Sequence, residues 1–140
     1  MARVKIDLPE NWLFQTEIPI RVTDINYGNH MGNDAFLGIL HEARMRWLAG
    51  YGWTELIFDP VGLIMIDVAV KFKTEAHYGD VLTVSLAAVD WTRLGFDLVY
   101  CATNARSQEV GRAQSGFVFF DYQKKKVCPV PEEFRTRFAP

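Results

Sequence analysis

The spacing of apolar and polar positions changes period twice along the chain. From Phe14 to Val22 the run FQTEIPIRV alternates with period two, which predicts a strand. Pro19 suits an edge or a bulge there, since proline cannot donate to a ladder. The segment TDINYGNHMGND, residues 23–34, is dense in Asp, Asn and Gly and predicts a loop. From Asn33 to Ala49 the period becomes helical: Phe36, Ile39, Leu40, Ala43 and Trp47 form a stripe that Leu37 and Leu48 widen. Asn33 or Asp34 can cap the first turn. Gly50 and Gly52 end the helix, and Glu42 and Arg46, four apart, are placed to pair.

Period two returns after Asp59-Pro60. In GLIMIDVAVKFKT, residues 62–74, Ile64, Ile66, Val68, Val70 and Phe72 are expected on one face and Met65, Asp67, Ala69, Lys71 and Lys73 on the other. Tyr78-Gly79-Asp80 marks a turn. The run 81–91 then places Leu82, Val84, Leu86 and Ala88 inward. Arg93-Leu94-Gly95 marks the next turn, and strands at 96–105 and 111–122 follow. The lysines at 124–126 read as a solvated turn or an edge guard, and a short helix is expected after Pro131. Strand, loop, long helix and four strands on short turns predict an α+β fold, with an antiparallel sheet of about five strands covering one helix. Residues 1–140 read as a single domain, without repeat or linker.

Composition narrows the function. A chain of 140 residues, 49% hydrophobic and 23% charged, can bury a core without metal or disulfide. A net charge of -2 argues against a general nucleic-acid binder. Cys101 and Cys128 lack metal-type spacing, and nothing demands a bond between them. No apolar run reaches the ~18 residues of a membrane span, and the N-terminus lacks a signal core. The expectation is a soluble, cytoplasmic protein with no membrane partner. The absence of Gly-x-Ser-x-Gly argues against an α/β-hydrolase, and the glycines at 28–32 lack the βαβ unit of a dinucleotide site.

Residues 21–44, RVTDINYGNHMGNDAFLGILHEAR, resemble the hotdog-fold thioesterase superfamily, in its 4-hydroxybenzoyl-CoA thioesterase-like branch. Arg21, Asp24, His30, Asn33, Phe36 and the triplet Glu42-Ala43-Arg44 match that branch's motif without a gap. HYGD at 77–80 and PVPEEF near the end are similar too, so the resemblance covers nearly the whole chain. It implies a sheet wrapped around a central helix. It also implies hydrolysis of acyl-CoA or acyl-carrier-protein thioesters, in a homodimer or a dimer of dimers. No cofactor is expected beyond the coenzyme A of the substrate. Three positions depart: the second acid of the family's Asp-x-Asp, its usual nucleophile or base, is Asn26 here, the glycine before the histidine is Asn29, and the first asparagine of the pair is Gly32. An amide can orient water or a carbonyl but cannot usefully accept a proton.

Thioester hydrolysis needs a polarised carbonyl, an activated water and a dry pocket. The free N–H groups of a helix N-terminus supply the first, and Gly32 would allow close approach to that backbone. Asp24, His30 and Asp34 are the candidates to activate water, with Asn26 and Asn33 fixing geometry; histidine's ordinary pKa of about 6.5 suits the task. Phe36, with Trp12 or Trp53, is a candidate pocket wall. Lys71 and Lys73 are candidates for the coenzyme A phosphates. Each residue also has a structural reading: Asp24 as an Asx-turn, Asp34 and Asn33 as caps, and His30 as a surface histidine. The competing function is a non-catalytic acyl-CoA or small-ligand binding module, with Asn26 marking the lost base. The histidine–carboxylate context of a hotdog hydratase is not found.

Overall fold

The computed structural model describes residues 3–140. The strands are β1 (Phe14–Pro19), β2 (Val61–Phe72), β3 (Val81–Val89), β4 (Gly95–Thr103), β5 (Glu109–Asp121) and β6 (Lys126–Cys128). The helices are α1 (Asn33–Ala49) and α2 (Glu132–Phe138), and a 3-10 turn covers Val22–Asp24. All strand pairs are antiparallel, in the order β1-β3-β4-β5-β2, with β6 adding to β5. The sheet thus has six strands rather than five. The sixth was hidden in the lysine run, where Lys125 takes a left-handed φ of 55° and Lys126 begins β6. Asp121 Oδ1 nucleates that turn by accepting the N–H groups of Gln123 and Lys124, both at 2.9 Å.

The helix α1 has the expected limits, and its stripe Phe36, Ile39, Leu40, Ala43 and Trp47 is buried against the sheet. Each large side chain so buried contributes roughly 1.5–3 kcal/mol. From the sheet, Leu82, Val84 and Leu86 of β3 join Phe96, Leu98 and Tyr100 of β4 and Phe117 and Phe119 of β5 in the same core. At the C-terminal end of α1, α2 inserts Phe134 and Phe138 beside Trp47, with ring centroids 6.1 and 4.9 Å away. Trp53 belongs to this aromatic cluster, 5.9 Å from Phe134.

Three expectations are corrected. Neither Asn33 nor Asp34 caps α1: the N-cap is Gly32, extended and without a side chain, so both residues already lie in the first turn. The faces of β2 also do not alternate uniformly. Its register against β5 slips between Met65 and Asp67, leaving Ile66 as the extra residue of a bulge. Met65 and Val68 therefore both face α1, while Asp67 and Ala69 lie on the outer face near Asp97 and Gln114. Leu37 is exposed rather than part of the buried stripe, because it faces the groove between α1 and β2.

Candidate functional site

The loop between β1 and α1 is held by its own polar side chains. Asn26 Oδ1 accepts the N–H of Gly28 at 2.9 Å, an Asx-turn. The next residue but two, Asn29, takes a left-handed φ of 67°, a conformation that asparagine tolerates better than most. Backbone bonds from Asn26 N–H to His30 (3.0 Å), Met31 N–H to Ala76 (2.7 Å) and Gly32 N–H to Asp24 (3.0 Å) tie the loop to itself and to the chain after β2.

This anchoring opens a cleft of about 420 Å³ at the N-terminus of α1. Asn26, His30, Met31 and Asn33 form one wall; Phe72, Lys73, Thr74, Glu75 and Ala76 form the other. Asn26 and His30 are neighbours: a Cβ added at Gly28 would stand 3.2 Å from both Asn26 Oδ1 and His30 Nε2. Asn26 also overlies the helix start, its Nδ2 being 3.8 Å from where a Gly32 Cβ would stand. His30 Nδ1 lies 3.1 Å from the Met31 carbonyl. A carbonyl can only accept, so that bond places the proton on Nδ1 and leaves Nε2 with its lone pair. Asn33 Oδ1 accepts the N–H of Asp34 at 3.1 Å. The N–H groups of Asn33 and Ala35 find no acceptor among the described residues, which makes the first turn a cluster of free donors at the positive end of the helix dipole.

Of the expected site residues, Asn26, His30, Asn33 and Lys73 therefore line one cleft. Gly32 lies buried beside it, and Phe36 packs behind its wall, 5.7 Å from Phe72. Asp24 is turned away: only 7% exposed, it accepts the Arg21 N–H at 2.8 Å and meets the Arg21 guanidinium at 3.4 Å. Asp34 is exposed outside the lining, with its carboxylate folded over Gly32. Lys71 alternates away from Phe72 and points to the outer face of the sheet. Lys73 Nζ pairs with Glu109 at 3.2 Å. The acid in the cleft lining is Glu75, which no motif had marked.

A buried polar chain missed by sequence reading runs under the middle of α1. Arg44, 5% exposed, donates from Nε to Glu55 Oε2 at 2.9 Å and from Nη1 to the Tyr100 hydroxyl at 3.2 Å. The Tyr100 hydroxyl lies 2.9 Å from Ser115 Oγ, and His41 Nε2 lies 2.6 Å from the other Glu55 oxygen. Burial pushes the Tyr100 phenol above its ordinary pKa, so it stays protonated. Both cysteines are free, and burial raises each thiol, which makes them poor nucleophiles. Among the described residues no three His, Cys, Asp or Glu side chains group as metal ligands, and no helix is long and apolar enough to cross a membrane.

The fold is shared with solved structures. A 1,4-dihydroxy-2-naphthoyl-CoA thioesterase from Synechocystis superposes with a TM-score of 0.80 at 24% identity, covering 88% of this chain and 93% of that one. A hypothetical protein from Staphylococcus aureus, solved in complex with CoA, gives 0.82 at 17% identity, covering 95% and 85%. A DHNA-CoA thioesterase from the same organism gives 0.78 at 14% identity, covering 88% and 84%. No curated protein matches the chain. The family model of the thioesterase-like superfamily matches residues 20–138, and the chain belongs to that superfamily.

Proposed function

We propose that the protein hydrolyses acyl-CoA thioesters in the cleft before α1. The observation that carries this reading is that His30, its Nδ1 held by the Met31 carbonyl, and Asn33 of the first helical turn line one cleft. The thioester oxygen accepts from the Asn33 N–H at the start of α1, a bond that strengthens as the oxygen becomes an oxyanion. His30 Nε2 takes a proton from water, and the hydroxide attacks the carbonyl carbon. The tetrahedral intermediate collapses by breaking the carbon–sulfur bond, and His30 returns the proton to the departing thiolate. Water and thioester give acid and thiol. Asn26 holds the loop and directs its Nδ2 toward the reacting centre, and Phe72, Met31 and Ala76 exclude water from one side.

Coenzyme A as the carrier is supported by the naphthoyl-CoA activity named for the Synechocystis protein and by the CoA complex of the Staphylococcus protein. Lys73 at the cleft is the cation placed to meet its phosphates. The assembly is proposed as a homodimer through β2. That strand ends the sheet and exposes Ile66 (61%), Val68 (39%) and Phe72 (51%), an apolar edge that a monomer would leave open to pairing.

The test is thiol release from a panel of short, branched, aromatic and long acyl-CoAs. Turnover on one class supports the proposal. One observation favours the binding-module reading instead: Asn26 lacks a titratable group, and Asp24 is engaged elsewhere. Saturable binding of acyl-CoAs with no thiol released would decide for it.

A further inference from the structure

We infer that Glu109, outside the cleft lining, is a specificity-determining residue: through its ion pair with Lys73 it limits how tightly the cleft takes a thioester on a phosphate-bearing carrier. This rests on the thioesterase reading for the ligand and on Lys73 as the cation that meets its phosphates, but the effect is one of binding and needs no hydrolysis.

Among the described residues lining the cleft, Lys73 is the one lysine or arginine and Glu75 the one acid. Both already face a partner. Lys73 Nζ lies 3.2 Å from Glu109 Oε2, and Glu75 Oε2 lies 3.5 Å from His77 Nε2. With Glu109 in place, Lys73 carries no uncompensated charge. Glu75 adds a negative charge whenever His77 is neutral. The cleft therefore offers a phosphate a cation but no net attraction.

Glu109 is the fixed member of the pair. Arg112 donates to both of its oxygens, at 2.7 and 2.6 Å, and a further guanidinium nitrogen donates to the Ile6 carbonyl at 2.7 Å. The Ile6 carbonyl thus steadies Arg112, and Arg112 steadies the carboxylate. The same Arg112 bonds hold the Glu109 carboxyl below the ordinary glutamate range, so it is charged at neutral pH. The Lys73 backbone is anchored as well, its N–H donating to the Val110 carbonyl at 2.9 Å. What can move is the lysine ammonium, on its flexible stem. It can swing to a ligand while Glu109 keeps Arg112, so no carboxylate is left unpaired.

A phosphate reaching Lys73 meets a carboxylate that competes for the same ammonium and repels the incoming charge. The side chains of Lys73 and Glu109 are 34% and 21% exposed, and a pair this open to solvent is weak. The competition is therefore a matter of a few-fold in affinity. It falls on coenzyme A, which carries phosphates, and spares the pantetheine arm, which carries none. Glu109 is a positioning residue that acts through Lys73.

The test titrates the full chain by calorimetry with S-hexyl-CoA and S-hexyl-pantetheine, non-hydrolysable thioethers that share the arm and differ in the phosphates. Glu109→Gln and Glu109→Met are each expected to bind S-hexyl-CoA about fivefold tighter than wild type, with S-hexyl-pantetheine unchanged. That gain should fall below about twofold at about 1 M salt, where screening acts within about 3 Å. Glu109→Asp keeps the charge and should stay within about twofold of wild type. Thermal unfolding checks that each variant is folded. Unchanged or weaker S-hexyl-CoA binding in the folded neutral variants overturns the inference. So does an equal gain for both thioethers, or the same gain in Glu109→Asp. Thiol release from the acyl-CoA panel separates the two claims. Release with unshifted affinities sinks the role of Glu109 alone, and the expected shifts without release sink the hydrolase alone. Failure of every protein to bind S-hexyl-CoA sinks the role of Glu109 together with coenzyme A as the carrier.

Discussion

The side-chain carbonyl of Asn26 accepts the backbone N–H of Gly28 at 2.9 Å. The residue standing where the family's motif has an acid thus braces a loop through its carbonyl oxygen. Asn26→Asp keeps an acceptor for Gly28, so its thermal midpoint is expected to match the wild type. Its carboxylate beside His30 favours the protonated imidazole. The acid limb of the rate profile should therefore move to higher pH. Asn26→Ala loses the turn and the amide together, and kcat/KM is expected to fall about tenfold or more, corresponding to about 1.4 kcal/mol. Stopped assays across pH 5–9 on the three proteins check both outcomes.

The carboxylate of Asp24 serves the chain entry to the same loop rather than the cleft. Its bond to the Arg21 N–H and its ion pair with Arg21 predict a structural variant. Asp24→Ala is expected to cost about 1–2 kcal/mol in denaturant unfolding, as the loss of a buried cap does. Turnover at temperatures well below the transition should stay within a few-fold of wild type. A loss of a hundredfold or more in a folded variant would return Asp24 to the chemistry.

How far the chain could be read without coordinates depends on the range of the interactions. The limits of α1 were legible because its stripe repeats at three and four residues and glycines follow it. Leu82, Val84 and Leu86 were legible because β3 keeps strict alternation. The bulge at Ile66 was not: alternation of apolar residues runs through it unbroken, and only the pairing of Met65 with Phe117 and Asp67 with Gly116 exposes the slip. At the site, the motif drew attention to Asn26, His30 and Asn33, which lie close together in sequence and line one cleft. It gave no sign of Glu75, brought in by the Met31–Ala76 backbone bond. It could not show that Arg44 reaches Tyr100, 56 positions away.

The exposed edge of β2 makes oligomeric state a direct test of the proposed assembly. Ile66→Asp places a charge on that edge without disturbing the core, since Ile66 is the bulged, exposed residue. Sedimentation velocity is expected to give a dimer for the wild type and a monomer for the variant. If both sediment alike as dimers, the interface lies elsewhere.

Glu109 offers a pH-dependent check on the outer side of the sheet. Arg112 donates to both of its oxygens, at 2.7 and 2.6 Å, and with Lys73 holds its carboxyl below the ordinary glutamate range. A carboxylate with a depressed folded pKa stabilises the fold above its unfolded value, about 4.3. That contribution disappears as pH falls through the folded value. Glu109→Gln is therefore expected to cost about 1 kcal/mol at pH 7, with the difference from wild type shrinking steadily below pH 4. A difference independent of pH would mean the residue acts through packing alone.

The most direct measurement is thiol release by wild type and His30→Ala on the preferred acyl-CoA, with binding of its thioether analogue measured alongside. A fall in kcat of a hundredfold or more with analogue affinity nearly unchanged is the expected result, since general-base assistance contributes about 10²–10⁴-fold. Turnover within a few-fold of wild type would contradict the assignment of His30 as the base and move the chemistry to another group, with Glu75 on the facing wall the next to examine.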